Sequence, residues 1–133
     1  MLEELKKPKV FQNFEVYCRN QSYYEVHVFN NEFCVDDLKL LVEAEKEICG
    51  KQLPVLVYCF KYASTNIELM KELSKNKNNP YSVADAFVIS SISQKLLANF
   101  YLKVTNPERP SQFFSTDIDA KKWLEKYMEP VLS

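Results

Sequence analysis

The stretch Leu53-Pro54-Val55-Leu56-Val57-Tyr58-Cys59-Phe60 carries no charged residue. An apolar run of this length, rich in β-formers, is the pattern of a strand covered on both faces, and its proline stands near the start, where a missing N–H is tolerated. A strand of this kind belongs at the centre of a sheet with helices above and below it, so the run sets the class as α/β. A second segment, Tyr81 to Ser90, returns to β character through Val83, Phe87, Val88 and Ile89 and is expected as another interior strand.

Between and around these strands the apolar period changes to that of helices. Leu38, Leu41, Val42 and Ile48 follow Asp36-Asp37, two acids placed to favour a helix start, and Gly50 closes the segment. Thr65-x-x-Glu68 has the form of a capping box leading into Ile67, Leu69, Met70 and Leu73, and Ser91-x-x-Gln94 has the same form before Ile92, Leu96, Phe100 and Val104. That last set recurs every fourth residue and is expected to face the core, with Leu97 and Tyr101 widening the stripe. Ser111 to Ser115 reads as a short strand, and Thr116 opens a terminal helix with Ala120, Trp123, Leu124 and Tyr127 on one face. Trp123 and Phe100 are both expected in one core.

Upstream, Val10 to Arg19 alternates with Phe14, Val16 and Cys18 on one face and Glu15 and Tyr17 on the other. Asn20-Gln21-Ser22 is a turn, and Tyr23 to Phe29 alternates again, with Tyr24, Val26 and Val28 opposite Glu25 and His27. These two segments are expected to form an antiparallel hairpin. The order is ββαβαβαβα. Its helix-separated strands favour parallel pairing, so a single mixed sheet is expected, an N-terminal antiparallel hairpin plus parallel strands flanked by about four helices.

Composition excludes much else. The chain has 133 residues, 47% hydrophobic and 26% charged, which fits one globular domain over residues 1–133 and not a disordered segment. A net charge of −1 supplies no field that would draw it to nucleic acid. One glycine rules out phosphate-cradling glycine loops, and four cysteines with no Cys-x-x-Cys pair beside one histidine make zinc improbable. No uncharged stretch approaches the ~20 residues of a membrane span, and no apolar leader is visible, so a cytoplasmic protein without cofactor or metal is expected.

The runs Ala86-Phe87-Val88-Ile89-Ser90-Ser91 and Leu96-Leu97-Ala98-Asn99-Phe100-Tyr101-Leu102, followed by Asn106-Pro107-x-x-Pro110, Phe113-Phe114-Ser115-Thr116, Ala120 and Trp123-Leu124, resemble those of small bacterial STAS-like proteins. That group is akin to the anti-sigma-factor antagonists and, more distantly, to CRAL-TRIO lipid-binding domains. The resemblance is best over Leu53 to Tyr127. It implies a STAS-like domain with a four- or five-stranded mixed sheet and a regulatory or binding role. Antagonists carry Asp-Ser-Ser-Gly at the start of one helix, with a phosphorylated serine; here the junction reads Ala63-Ser64-Thr65-Asn66-Ile67, with hydroxyls but neither the acid nor the glycine.

No catalytic constellation emerges. His27 is expected as a half-exposed strand residue with no role beyond solvation, and the cysteines as small hydrophobes. Glu43, Glu45 and Glu47, at spacing two, are expected on a solvated helix surface. Asp85 is the one acid inside an inner strand; it is either a buried, perturbed carboxylate or, more simply, a strand-end group reaching water. Lys71, Lys75 and Lys77, with Lys6, Lys7 and Lys9, are expected as solvated charge.

The candidates that remain are the hydroxyl-rich junctions. Ser64, Thr65, Asn66, Ser91 and Ser93 fall where strands give way to helices and would gather beyond the strand C-termini, where ligands of open α/β sheets bind. Ser and Thr also cap helices, so pure capping explains each junction as well. The function expected is a non-enzymatic regulatory or protein-binding module that meets a partner, or a second copy of itself, at this edge, with Ser64 and its neighbours as partner-binding or phosphorylation sites. The alternative is a carrier or sensor of a small apolar or amphipathic ligand such as a lipid. For that, Phe87, Phe100, Tyr101, Phe113 and Trp123 would line a cavity rather than fill it.

Overall fold

The hairpin that opens the sheet turns through Asn20 and Gln21, whose φ values of 52° and 58° lie in the left-handed region, and Ser22 N–H closes the turn on Arg19 O at 2.8 Å. The computed structural model describes residues 8–128; the first seven residues, with Lys6 and Lys7 of the basic cluster, and the last five lie outside it. Eight strands are present among the described residues: β1 (Lys9–Val10), β2 (Phe14–Arg19), β3 (Tyr23–Val28), β4 (Glu32–Phe33), β5 (Leu53–Cys59), β6 (Ser64–Thr65), β7 (Ser82–Val88) and β8 (Ser111–Phe114). The helices are α1 (Val35–Ile48), α2 (Ile67–Leu73), α3 (Ile92–Phe100) and α4 (Asp117–Leu124).

Six strands form one mixed sheet in the order β1-β2-β3-β5-β7-β8. The first two pairings are antiparallel and the other three parallel, so β5 and β7 are interior strands, as their apolar continuity requires. The sheet is wider than the resemblance implies because the expected strand from Val10 to Arg19 is broken. Phe11 N–H bonds Phe14 O at 2.8 Å, and Val10 folds back to pair with Glu15, adding β1 as an edge. The pairing of β5 with β7 shifts register between Leu53 and Val55, at Pro54, which has no N–H to donate.

Three helices cover one face of the sheet and one covers the other. Phe14, Val16, Tyr24, Val26, Val55, Val57 and Phe87 meet Leu38, Leu41, Leu69, Met70, Ala98 and Tyr101 on the first face. Leu56 and Ala86 meet Ala120 and Leu124 of α4 on the second. Trp123 packs with the second group and Phe100 with the first, so the two rings belong to separate cores divided by the sheet and not to one.

Two other expectations are corrected. Three of the four stripe residues of α3 face outward, Ile92, Leu96 and Val104 being 77%, 66% and 58% exposed, while Phe100, with Leu97 and Tyr101, packs on the first-face core as expected. The helix is rolled so that Gln94, Ala98 and Tyr101 point inward, because the Gln94 amide donates to the carbonyls of Phe60, Lys61 and Ala63 and locks the orientation. After Phe100 the chain widens into a π-helical turn, Tyr101–Thr105. The expected capping box at Thr65 is also absent. Asn66 caps α2 through its Oδ1, which accepts from Leu69 N–H at 2.8 Å, while Thr65 lies in β6 and its Oγ1 donates to Phe33 O at 2.6 Å. The box at Ser91 and Gln94 forms as expected.

Candidate functional site

Between the sheet and the three helices of its first face lies a cavity of about 130 Å³. Its walls are apolar along most of their length, with Val26, Val57 and Phe87 below and Leu69, Met70 and Ala98 above. Alternation builds the floor, because Val26, Val57 and Phe87 are successive partners across β3, β5 and β7 and point to the same side. Of the aromatic residues considered for this role, Phe87, Tyr101 and Phe113 line the cavity. Phe87 and Phe113 stack at 4.6 Å, and Tyr101 meets both edge-on at 6.2 Å.

One end of the cavity is polar and fully enclosed. Glu45, Asp85, Tyr101 and Asn79 line it with exposures of 0%, 2%, 2% and 4%. Asp85 is satisfied: Arg109 donates from Nε at 2.8 Å to one oxygen, its Nη2 stands 2.7 Å from the same oxygen in an ion pair, and the Ser82 hydroxyl serves the other. Arg109 is itself buried and fully engaged, bonding Leu73 O at 2.8 Å and the Asn76 Oδ1 at 3.2 Å. Asp85 is therefore the buried carboxylate, and the strand-end alternative is excluded because β7 runs between β5 and β8 with Arg109 folded over the acid.

Glu45 differs. Both of its carboxyl oxygens, together with Asn79 Oδ1 and the Tyr101 hydroxyl, are buried without a hydrogen bond from the described residues. Burial, reinforced by the Asp85 charge and only partly opposed by Arg109, pushes the Glu45 carboxyl up to about 8. The side chain is neutral at pH 7 and presents one O–H donor and one carbonyl acceptor. Its backbone is pinned: Glu45 O accepts from Gly50 N–H at 2.9 Å, from Cys49 N–H at 3.2 Å and from the Tyr24 hydroxyl at 3.3 Å. Gly50, at φ 75°, makes this helix closure. The expected solvated row Glu43, Glu45, Glu47 thus divides, with Glu43 and Glu47 exposed and Glu45 inside.

The signal that would have found Glu45 is in the sequence. It stands seven residues after Leu38 and four after Leu41, on the buried stripe of α1, a relation that the spacing-two comparison of the three glutamates conceals. Arg109 and Asn79 offered no such signal, since both sit in loops whose placement depends on the finished sheet.

At the other end stand the hydroxyl-rich junctions, brought together by the Gln94 bonds to the carbonyls of Phe60, Lys61 and Ala63. Ser64 and Thr65 line the cavity, and Ser64 is the exposed member of its lining. Asn66, besides capping α2, donates from Nδ2 to Glu32 at 2.9 Å. Ser91 caps α3 with its Oγ on Gln94 N–H at 3.1 Å, and Ser93 is exposed on the first turn. Thr65, Asn66 and Ser91 are thereby tied into the framework, while Ser64 and Ser93 face outward.

The remaining chemistry-bearing residues stand apart from the cavity's polar end. His27, expected only to be solvated, is held on the second face by Glu25 at 2.7 Å and stacks on Tyr58 at 4.8 Å. Burial alone raises the Glu25 carboxyl, but hydrogen bonds from His27 and Arg19 outweigh it and hold the group down to about 2. Cys59 lines the cavity, and burial pushes its thiol up to about 12, far from the thiolate a nucleophile requires. Among the described residues no three His, Cys, Asp or Glu side chains group as a metal site, and no helix is long and apolar enough to cross a membrane.

Residues 23–128 match the family model described as a domain of unknown function, DUF7793. No curated protein matches the chain. A solved structure of an uncharacterized protein of the DUF3478 family with a SpoIIAA-like fold, from Shewanella loihica PV-4, covers 90% of this chain and 99% of its own length at a TM-score of 0.59 and 13% identity. The two chains share the fold, which is the STAS-like architecture expected from the sequence.

Proposed function

This chain belongs to the DUF7793 family, and we propose that it is a non-catalytic binding module that takes up a small amphipathic molecule between sheet and helices, as carrier or sensor. The observation that supports this reading is the cavity itself, apolar along its walls and ending in buried polar groups that the protein leaves unpaired. Native proteins rarely leave such groups unpartnered, so several lining one cavity call for a ligand that completes them. Apolar cavities of roughly 150 Å³ hold a molecule the size of benzene, which sets the scale of ligand a space of this kind takes. Catalysis is disfavoured because His27 is on the opposite face of the sheet from the cavity and burial keeps the Cys59 thiol that lines it protonated.

A sensor must report its state. Ser64 and Thr65 join the cavity to the edge where Ile67, Ile92 and Leu96 are exposed, and this favours the further reading that a protein partner meets the module there. Benzene tests the ligand reading. Titrated into ¹⁵N-labelled protein, it should produce saturable amide shifts at Val57, Met70, Phe87 and Tyr101, and the cavity-filling variant Ala98→Leu should remove them. Shifts that do not saturate, or that scatter over the surface, overturn it.

A further inference from the structure

The deep end of the cavity carries a more specific message than its apolar walls. Glu45, Tyr101 and Asn79 are each more than nine-tenths buried, line the same space, and present polar atoms with no hydrogen bond from the described residues. The charged pair beside them is no substitute reader. Arg109 directs Nε and Nη2 to Asp85, Nη2 also to Leu73 O and Nη1 to Asn76, so its fork is already occupied.

We propose that this end of the cavity recognises one hydroxyl group, and that the ligand is a small uncharged molecule with an apolar body about the size of a benzene ring and an alcohol or phenol head held by Glu45, Tyr101 and Asn79. The inference rests on the reading above that the cavity is a ligand site. A hydroxyl has one proton to give and two lone pairs to accept with. Asn79 Oδ1 accepts that proton, while the Glu45 carboxyl and the Tyr101 hydroxyl donate in return. A hydrocarbon leaves all three groups unpaired. A carboxylate head brings a negative charge into a dry site beside Asp85, with the nearest guanidinium already engaged, and is rejected on that account.

Benzene, phenol and benzoate, titrated at pH 6.5 and followed by amide shifts, separate the two levels of the argument. Phenol is expected to bind about tenfold more tightly than benzene, the size of effect that satisfying buried polar groups produces, and benzoate more weakly than phenol. Glu45→Met and, separately, Tyr101→Phe should bring the phenol-to-benzene ratio toward one while benzene still binds; Tyr101→Phe keeps the ring that packs on Phe87 and so guards against loss of fold. Equal binding of phenol and benzene to the wild-type protein overturns the inference, as does tighter binding of benzoate or a phenol advantage that survives both variants. Benzene binding without a phenol preference removes this inference alone. Failure of both benzene and phenol to bind removes the cavity reading with it.

Discussion

Two carboxylates share one end of one cavity and are treated in opposite ways. Asp85 is surrounded: a guanidinium on one oxygen and a hydroxyl on the other leave it nothing to offer a ligand. Glu45 is equally buried, and its carboxyl has no hydrogen-bond partner among the described residues. Burial therefore does not by itself mark a functional acid. The distinction lies in whether the surrounding chain completes the hydrogen bonds, since a completed ion pair is architecture and an uncompleted carboxyl is a capacity held open.

The sharpest way to break this comparison is to remove the partner of Asp85. Arg109→Ala strands a buried negative charge and frees Leu73 O and Asn76 as well, and it should cost about 3–5 kcal/mol in urea unfolding. A loss below about 1 kcal/mol would mean that the pair is not the clamp described here.

Removing Glu45 should act in the opposite direction. Glu45→Met replaces an unpaired polar group with an apolar one on an apolar wall and is expected to stabilise by about 1–3 kcal/mol at pH 8. The pH dependence follows from the sign of the shift. The folded-state carboxyl titrates near 8, well above an ordinary glutamate, so the folded state binds the extra proton between those values. Stability should fall as pH rises from about 4.5 to 8, with Asp85 and Arg109 as the charged neighbours that face Glu45. Glu45→Gln should flatten that fall, and a wild-type profile already flat over this range contradicts the assignment.

Glu25, on the second face, gives a contrast of smaller size. Its carboxyl is held down to about 2, so its pairing with Arg19 and His27 contributes above the ordinary glutamate range and is lost as pH falls from about 4.5 toward 2. Because Arg19 is half exposed and screened, Glu25→Gln should cost only about 1 kcal/mol at pH 7, and the acid limb of the stability profile should shift accordingly. The smallest effect belongs to the outward stripe of α3. Leu96→Ser should change stability by less than about 0.5 kcal/mol, since Leu96 covers no core residue, whereas a loss of 2 kcal/mol or more would return the helix to the orientation its periodicity suggests.

Much of the fold was legible in the sequence because strands and helices announce themselves by period. Leu53 to Phe60 needed no tertiary information to be read as an interior strand, and the alternation of Tyr24, Val26 and Val28 against Glu25 and His27 placed those residues on their correct faces. The helix stripe Ile92, Leu96, Phe100 and Val104 misled at every position but Phe100, for a local reason. Four apolar residues on one side outvoted Gln94, whose amide had three carbonyls waiting in a loop about thirty residues away. Period measures the average apolar preference of a helix, and one well-placed polar side chain can turn the helix against it.

The order of the five longer strands and the four helices, the parallel pairing and the two interior strands were thus determined by the sequence alone, because each depends on residues near one another along the chain, whereas the two-residue strands β1, β4 and β6 were not. The cavity, its pairing of Asp85 with Arg109 and the isolation of Glu45 were decided by the tertiary structure. Those features join residues from α1, β7, the π-turn and the loop before β8, and whether a buried polar group finds a partner is a question of distances between segments that no local pattern encodes.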